Sequence, residues 1–244
     1  MKILTLWDID GTLVNVNKYH TPAYQKAIEA VYGVKLSFCE IEKNYGLPTR
    51  EVIAIPLRKR GIREEIIQKK ILSVFSIYSK ELEEGLRNAS NKSELLLPGV
   101  LSLLEKIGSQ KIPMGIVTGN IKKAGEAILK GLSLDHCFNP ILNSYGDTAI
   151  TKSEIVLNAI NSAKENNIID DNTRIFVFGD SPAEIDAARS NNCISLAVIK
   201  DSNDSKSSPG GSRYIKRKNM LMRSKPDYLL DDYTDLEKIL SILT

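Results

Sequence analysis

The 244-residue chain has few of the residues on which disulfide frameworks and many metal sites depend. Two histidines, His20 and His136, give little support to a catalytic histidine triad or a histidine-rich metal site. Three cysteines, Cys39, Cys137 and Cys193, are widely spaced without a CxxC pair, so we expect reduced core thiols of a cytoplasmic protein. No apolar run approaches the roughly 20 residues of a membrane-spanning helix, and the N-terminal apolar stretch is too short for a secretory signal.

An excess of charge of either sign is also missing. Lys and Arg total 33 against 30 Asp and Glu, a net charge of +3, which is too small to indicate a nucleic-acid or membrane partner by itself. The cations are concentrated at 200–225, where eight basic residues stand against two acidic ones. Ser, Gly, Asn and Pro in that stretch predict a long exposed loop, either a solvated insertion or a contact surface for an anionic substrate or polymer.

Short apolar runs alternate with helical patterns over most of the chain. We predict buried parallel strands at 3–7, 114–117, 175–178 and 195–198, and helices at 100–107, 122–129, 153–163 and 182–190. This alternation predicts an α/β fold with a Rossmann-like, doubly wound parallel sheet as its core. Only helical periodicity is found from about residue 16 to 95, which predicts a helical insert; a helix at 50–60 should kink or restart at Pro56.

Carboxylates follow two of the predicted strands, at the sheet edge where α/β proteins bind ligands. Asp8 and Asp10 follow the first strand in the hexapeptide DIDGTL. Carboxylates this close raise each other's pKa unless a cation lies between them, so the pair indicates either a divalent metal or a shared proton. Asp180, beside a glycine at the end of another strand, is a further candidate metal ligand.

Other polar residues lie at the same predicted edge. Thr118, Gly119 and Asn120 precede a helix and indicate an anion site, although Thr118 could equally be a helix cap. Lys152 lies in the first turn of the next helix, where a cation opposes the helix dipole, so it is either neighboured by an anion or solvated. Glu184 is explained structurally by a capping box. Oxygen ligands without histidine or cysteine indicate Mg²⁺, and the set suits phosphoryl transfer.

In this order the residues resemble the haloacid dehalogenase-like superfamily, in its phosphoglycolate-phosphatase-like branch with a helical cap. The likeness rests on DIDGTL at 8–13, LPGV at 97–100, VTGN at 117–120, Lys152 and GDSPAEIDAA at 179–188. It implies a cytoplasmic, Mg²⁺-dependent phosphatase that hydrolyses a small phosphorylated metabolite, a phosphoglycolate-like phosphomonoester, through an aspartyl-phosphate. It also implies a catalytic α/β core at 1–15 and 96–244 and a helical cap domain at 16–95.

The resemblance implies catalytic roles for the motif residues. Asp8 would attack phosphorus, and Asp10 would protonate the leaving oxygen and then activate the hydrolytic water. Lys152 would neutralise charge between Asp8 and the phosphoryl group. The phosphoryl oxygens would be held by Thr118, Gly119 and Asn120.

The resemblance also implies a magnesium site and a substrate contact. Asp8, the backbone carbonyl of Asp10, and Asp180 would hold Mg²⁺. Glu184 stands where the family usually has Asp, which leaves its contact with the metal open. Arg50, in a cap segment similar to the substrate-contacting loop of the branch, would pair with a second anionic group or would simply belong to a turn and helix cap.

Three alternatives stay open. A β-phosphoglucomutase-like phosphosugar mutase shares every core residue named above. A 2-haloacid dehalogenase needs neither a second catalytic carboxylate nor a metal, so Asp10 and Asp180 argue against it. A nucleic-acid-binding protein using 200–225 is disfavoured by the small net charge and by the single aromatic residue in that stretch. The partner is therefore expected to be a small phosphate ester rather than a membrane or a nucleic acid. The sequence leaves the choice between a monomer and a weak dimer open.

Overall fold

The computed structural model describes residues 2–147, 149, 151–199 and 211–243, and a parallel sheet forms its centre. Its strands are β1 (Ile3–Trp7), β2 (Met114–Thr118), β3 (Ser144–Tyr145), β4 (Arg174–Gly179), β5 (Ile194–Val198) and β6 (Tyr228–Leu230). The strands lie in the order β3-β2-β1-β4-β5-β6, and every neighbouring pair is parallel. The chain builds outward from β1 on one side and then returns to its other side, which makes β1 the switch point where ligands bind in such sheets.

The central strands are buried on both faces, as continuous apolar runs in parallel sheets are. Trp7 at the end of β1 stacks on Phe178 of β4, with ring centroids 3.7 Å apart. In register, Trp7 lies between Phe178 and Ile116. The strand ends are thereby aligned, so the residues that follow β1, β2 and β4 emerge at one edge.

Helices surround the sheet. Between β1 and β2 lie α1 (Asn17–Tyr32), α2 (Phe38–Glu42), α3 (Thr49–Lys59), α4 (Glu64–Arg87) and α5 (Val100–Ser109). The remaining helices are α6 (Lys122–Gly131), α7 (Lys152–Glu165), α8 (Pro182–Ser190), α9 (Ser212–Arg223) and α10 (Leu236–Leu243). The predicted α/β fold class, with a doubly wound parallel sheet, is confirmed.

The helical insert α1–α4 joins the sheet through two adjacent chain segments. The Asn15 amide donates to the Leu95 carbonyl at 2.7 Å, and the Leu97 amide donates to the Leu13 carbonyl at 2.9 Å. A hydrophobic cluster continues from the insert into the sheet without interruption. The division into 16–95 and the rest therefore stays a prediction, although the insert contains helices and no strand among its described residues.

The helix predicted at 50–60 does not restart at Pro56: α3 runs through it, because a single missing amide removes only one hydrogen bond. A kink at Pro56 stays a prediction. One local prediction is wrong. The basic stretch is not a loop throughout, since α9 occupies its second half. Tyr214 and Leu221, seven residues apart, form the buried face of that helix, a spacing that the surrounding charges obscured. Residues 200–210 lie outside the described residues.

Of the three cysteines, Cys193 is buried, Cys137 is half-buried and Cys39 is exposed. The expectation of core thiols is therefore wrong for Cys39, which lies in the five-residue helix α2 at the surface of the insert. None of the helices within the described ranges combines the length and apolar character that crossing a bilayer requires.

Close packing around Gly115 of β2 predicts that one added methyl group will lower the stability of the protein. In Gly115→Ala the added Cβ would lie 2.6 Å from the Leu142 Cβ and 2.8 Å from the Leu142 carbonyl oxygen. We expect a loss of about 1–3 kcal/mol in the free energy of unfolding, measured by urea denaturation. Gly108→Ala is the matched control: its Cβ meets only the Met114 side chain at 3.7 Å, so it should be neutral or stabilising. Equal effects of the two substitutions would show that β2 is not tightly packed at Gly115.

Candidate active site

A cavity of about 430 Å³ opens at the aligned strand ends. Its floor is made by residues that follow β1, β2 and β4, and its walls by α1, the start of α3, and α9. Asp8, Asp10, Thr118, Lys152 and Asp180 all line it. The structure thus brings together most of the site residues predicted from the sequence, although the elements that carry them are far apart along the chain.

Lys152 lies between two buried carboxylates. Its Nζ is 2.8 Å from Asp8 Oδ1 and 2.7 Å from Glu184 Oε1, and all three side chains are less than a tenth exposed. A capping box between Thr151 and Glu154 fixes the start of α7 and thereby the position of Lys152 in its first turn. A lysine at a helix N-terminus is stabilised by a neighbouring anion, and Lys152 has two of them, Asp8 and Glu184.

The protonation of this group reflects its burial. Burial raises the pKa of Asp8 to about 7, against the opposing effect of Lys152 and with the help of the Glu184 and Asp180 charges. Burial alone would lower the pKa of Lys152, but the attraction of Asp8 and Glu184 outweighs it and raises that pKa. Lys152 therefore stays charged. Its single positive charge does not neutralise the negative charges of all the carboxylates around it.

Asp8, Asp180 and Glu184 each place a carboxylate oxygen within 4.8 Å of the others. Burial, with the Glu184 charge, raises the pKa of Asp180 to about 6, although Arg217 opposes this shift. Hard oxygen donors and uncompensated negative charge are what a divalent cation of the Mg²⁺ type requires, so the residues fit such an ion. The Asp10 carboxylate is directed elsewhere, and a contact through its carbonyl stays a prediction.

Glu184 has two roles at once. Its Oε2 accepts from the Ser181 amide at 3.0 Å and completes the predicted capping box of α8. Its Oε1 bonds Lys152. The Glu184 side chain lies so close to the end of β4 that only glycine fits at position 179. A Cβ there would lie 2.3 Å from the Glu184 Cβ.

Asp10 is held by the insert and by the loop after β2. His20 Nε2 of α1 lies 3.0 Å from Asp10 Oδ1, and the Asn120 side-chain amide donates to Asp10 Oδ2 at 2.6 Å. Tyr78 of α4 lies 2.7 Å from His20 Nδ1 and fixes the ring. Burial would raise the pKa of Asp10, but His20 and Asn120 outweigh it and lower that pKa.

The turn that carries Asp10 depends on Gly11. Its φ is +74°, a conformation in which other residues are strained. A Cβ at this position would lie 2.0 Å from Asp180 Oδ2. The absence of a side chain at Gly11 therefore lets the loops after β1 and β4 meet.

The loop after β2 supports the cavity from the opposite side. The Asn120 backbone amide and side-chain amide donate to Thr118 Oγ1 at 3.3 and 3.2 Å, which holds the hydroxyl in place. The Gly119 carbonyl accepts from the Thr49 amide at 2.9 Å. This bond joins the first residue of α3 to the sheet loop, so the insert is closed over the cavity.

Arg50 does not line the cavity, and its contact with a substrate stays a prediction. Its guanidinium donates to the Gln68 side chain and lies over the Phe75 ring, 5.7 Å from the centroid. Thr49 and Val52, three positions apart on α3, face the cavity instead. Arg50 is one residue further along the helix, about 100° around its axis, and is directed away.

Sequence reasoning missed His20, Tyr78 and Arg217. His20 is one of only two histidines, which was a usable signal, but nothing in its spacing from Asp10 shows that α1 returns it to the strand end. Arg217 lines the cavity from α9 and pairs with Asp180. The assignment of 200–225 to a loop concealed it.

Comparison with known proteins identifies the family. Residues 5–198 match the model of the family described as haloacid dehalogenase-like hydrolase. The chain is a haloacid dehalogenase-like hydrolase. The predicted superfamily is thereby confirmed, and the matched range contains Asp8, Asp10, Thr118, Lys152 and Asp180.

Several proteins are similar to this hydrolase over nearly their whole length. A predicted pyrophosphatase, PpaX, of Caldanaerobacter subterraneus subsp. tengcongensis is 25% identical over 243 residues, which cover 98% of this chain and 96% of that protein. The crystal structure of a predicted phosphoglycolate phosphatase from Haemophilus somnus has a TM-score of 0.70, 21% identity and 98% coverage of each chain. β-Phosphoglucomutase from Clostridium difficile has a TM-score of 0.69 and 22% identity, covering 99% of this chain and 96% of that one.

The raised pKa of Asp8 predicts a pH-dependent effect on stability in the presence of a chelator. Between the unfolded value of 3.8 and the folded value of about 7, the native state binds the extra proton, so stability falls as the pH rises through this window. Asp8→Asn removes this cost. We compare the free energy of unfolding of the variant with that of wild type. The difference should shift in favour of the variant by on the order of a few kcal/mol between pH 4 and pH 8. Urea denaturation at both pH values measures it, and a constant difference would contradict the assignment.

Proposed function

We propose that this hydrolase is a Mg²⁺-dependent phosphatase that hydrolyses a phosphomonoester of a small metabolite through an aspartyl-phosphate on Asp8. The observation that carries the proposal is the Asp8 carboxylate at the cavity floor, paired with Lys152 and adjacent to Asp180 and Glu184. The names of the similar proteins, two phosphatases and a phosphoglucomutase, all concern phosphate chemistry.

In the first half-reaction, an Asp8 oxygen bonds to phosphorus while the bond from phosphorus to the leaving oxygen breaks. Lys152 attracts the negative charge of the phosphoryl oxygens. Thr118, whose hydroxyl is oriented by Asn120, holds these oxygens together with the Gly119 amide. Bound Mg²⁺, held by Asp8, Asp180 and Glu184, would supply the charge that lets a dianionic phosphate approach these carboxylates.

Asp10 acts as the general acid and then as the general base. The pair of His20 Nε2 and Asp10 Oδ1, 3.0 Å apart, can hold the proton that passes to the leaving oxygen. In the second half-reaction, Asp10 accepts a proton from water, the water oxygen bonds to phosphorus, and Asp8 is released. The lowered pKa of Asp10 keeps this carboxylate ionised, so that it is able to accept the proton. Closure by the bond between Thr49 and Gly119 limits the access of other water.

The direct test is phosphate release from p-nitrophenyl phosphate and phosphoglycolate, with Mg²⁺ and with chelator. Asp8→Asn should lower kcat by at least about 10³-fold because the nucleophile is lost. Asp186→Asn is the matched control: Asp186 is exposed on α8, pairs with Arg189 and should leave turnover unchanged.

The outcomes separate the alternatives. Turnover in Asp8→Asn comparable to wild type would rule out Asp8 as the nucleophile. Isomerisation of a sugar phosphate without net phosphate release would favour the phosphoglucomutase-like function. Inactivity of folded wild type toward a panel of phosphate esters would overturn the phosphatase proposal.

The contact between His20 and Asp10 predicts a dependence on the leaving group. Because His20→Gln weakens delivery of the proton, hydrolysis of an alkyl phosphate should slow about 10²-fold, the typical contribution of general acid catalysis. An aryl phosphate, whose leaving oxygen needs no proton, should be affected much less. His136→Gln, an exposed histidine at a 3-10 turn, is the control. Equal losses on both substrates would indicate that His20 has only a structural role.

A further inference from the structure

Arg217 belongs to the basic segment 200–225 and contacts the acidic group, which consists of Asp8, Asp180 and Glu184. Its Nη2 donates to Asp180 Oδ2 at 2.5 Å, and its Nε donates to the Ile199 carbonyl at 2.8 Å. The side chain is only a fifth exposed, and that of Asp180 is 16% exposed. This ion pair is therefore largely shielded from water and is stronger than a surface pair.

The helix that carries Arg217 is fixed to the sheet. Leu221 is fully buried beneath α9, and the Tyr214 hydroxyl donates to Asp231 after β6. At the end of the helix, Arg189 of α8 donates to the Ser224 carbonyl at 2.6 Å. These tertiary contacts of α9 hold Arg217 in a fixed position beside Asp180.

The charge count shows what this pair does to the site. Asp8, Asp180 and Glu184 contribute three negative charges when ionised, and Lys152 and Arg217 contribute two positive charges. These five groups carry a net charge of −1; without Arg217 the remaining four would carry −2. The guanidinium also shares the Asp180 carboxylate that the cation would use, and like charges at such separations repel strongly away from bulk water.

We propose that Arg217 is a positioning residue that lowers the affinity of the acidic group for a divalent cation by sharing Asp180. The proposal rests on the metal dependence contained in the proposed function. Because coupling between two binding events is reciprocal, the cation must weaken the attachment of Arg217 to Asp180 by the same free energy. Metal binding is thereby linked to the docking of α9, an element outside the residues 5–198 that match the family.

The first test measures Mn²⁺ binding directly, by electron paramagnetic resonance of the free ion, without substrate. Arg217→Gln should bind Mn²⁺ about tenfold more tightly than wild type because a neighbouring positive charge is removed. Arg217→Lys, which retains the charge, should remain close to wild type. Lys216→Gln is the matched control, since it removes the same charge from an exposed position of α9 that does not line the cavity.

An unchanged or weaker affinity in Arg217→Gln would overturn the proposal, as would equal tightening in Arg217→Gln and Lys216→Gln. If wild type fails to bind Mn²⁺ at all, the metal dependence in the proposed function fails as well. Binding by wild type without an effect of Arg217→Gln would refute the inference alone and leave the proposed function intact.

A second measurement uses wild type and does not require a variant to fold. Amide hydrogen exchange in 212–223 should become faster when Mn²⁺ saturates the site, because the cation weakens the contact that docks α9. Exchange in α5, on another part of the sheet, serves as the internal reference. Exchange in 212–223 that is unchanged or slowed by the metal would overturn the proposal.

Discussion

The crowding of carboxylates at one sheet edge is the constraint on which the rest of this site depends. Asp8, Asp180 and Glu184 place oxygens within 4.8 Å of one another in a setting from which water is largely excluded. Such a group cannot remain fully ionised without cations, and Lys152 supplies one by contacting two of the three. The raised pKa values of Asp8 and Asp180 show that the compensation is incomplete, and this remaining negative charge is what makes the site suitable for a divalent ion.

The carboxylates are brought close together by the aligned ends of the parallel strands and by glycines at the points of closest approach. Parallel pairing of β1 with both β2 and β4 places three strand ends side by side, so residues more than a hundred positions apart converge. Gly11 and Gly179 then allow neighbouring loops to approach to distances that any Cβ would prevent. The buried strands beneath the carboxylates, where Trp7 stacks on Phe178, hold these residues together against their electrostatic repulsion.

Much of this arrangement is predictable from the sequence, because strand ends and helix starts are local features. The four long strands, the helices that follow them, and the positions of Asp8, Thr118, Lys152 and Asp180 all come from short motifs read against the rules of parallel sheets. The two short strands β3 and β6, of two and three residues, have too little pattern to be recognised. The contacts of His20 and Arg217 depend on how α1 and α9 lie in three dimensions. One helical position separates Arg50, which does not line the cavity, from Thr49, which does.

The charges that balance the carboxylates come from elements of different kinds. Lys152 belongs to a helix start fixed by a capping box within the core, whereas His20 belongs to the insert and Arg217 to α9. The contacts of Lys152 with Asp8 and Glu184 therefore involve no residue of the insert. The contribution of His20 to Asp10 requires the insert to be closed, because α1 carries the imidazole to the strand end. Opening the insert removes this partner, so the lowering of the Asp10 pKa that His20 exerts is lost. The protonation of Asp10 is thus coupled to the contact that α1 makes with the strand end.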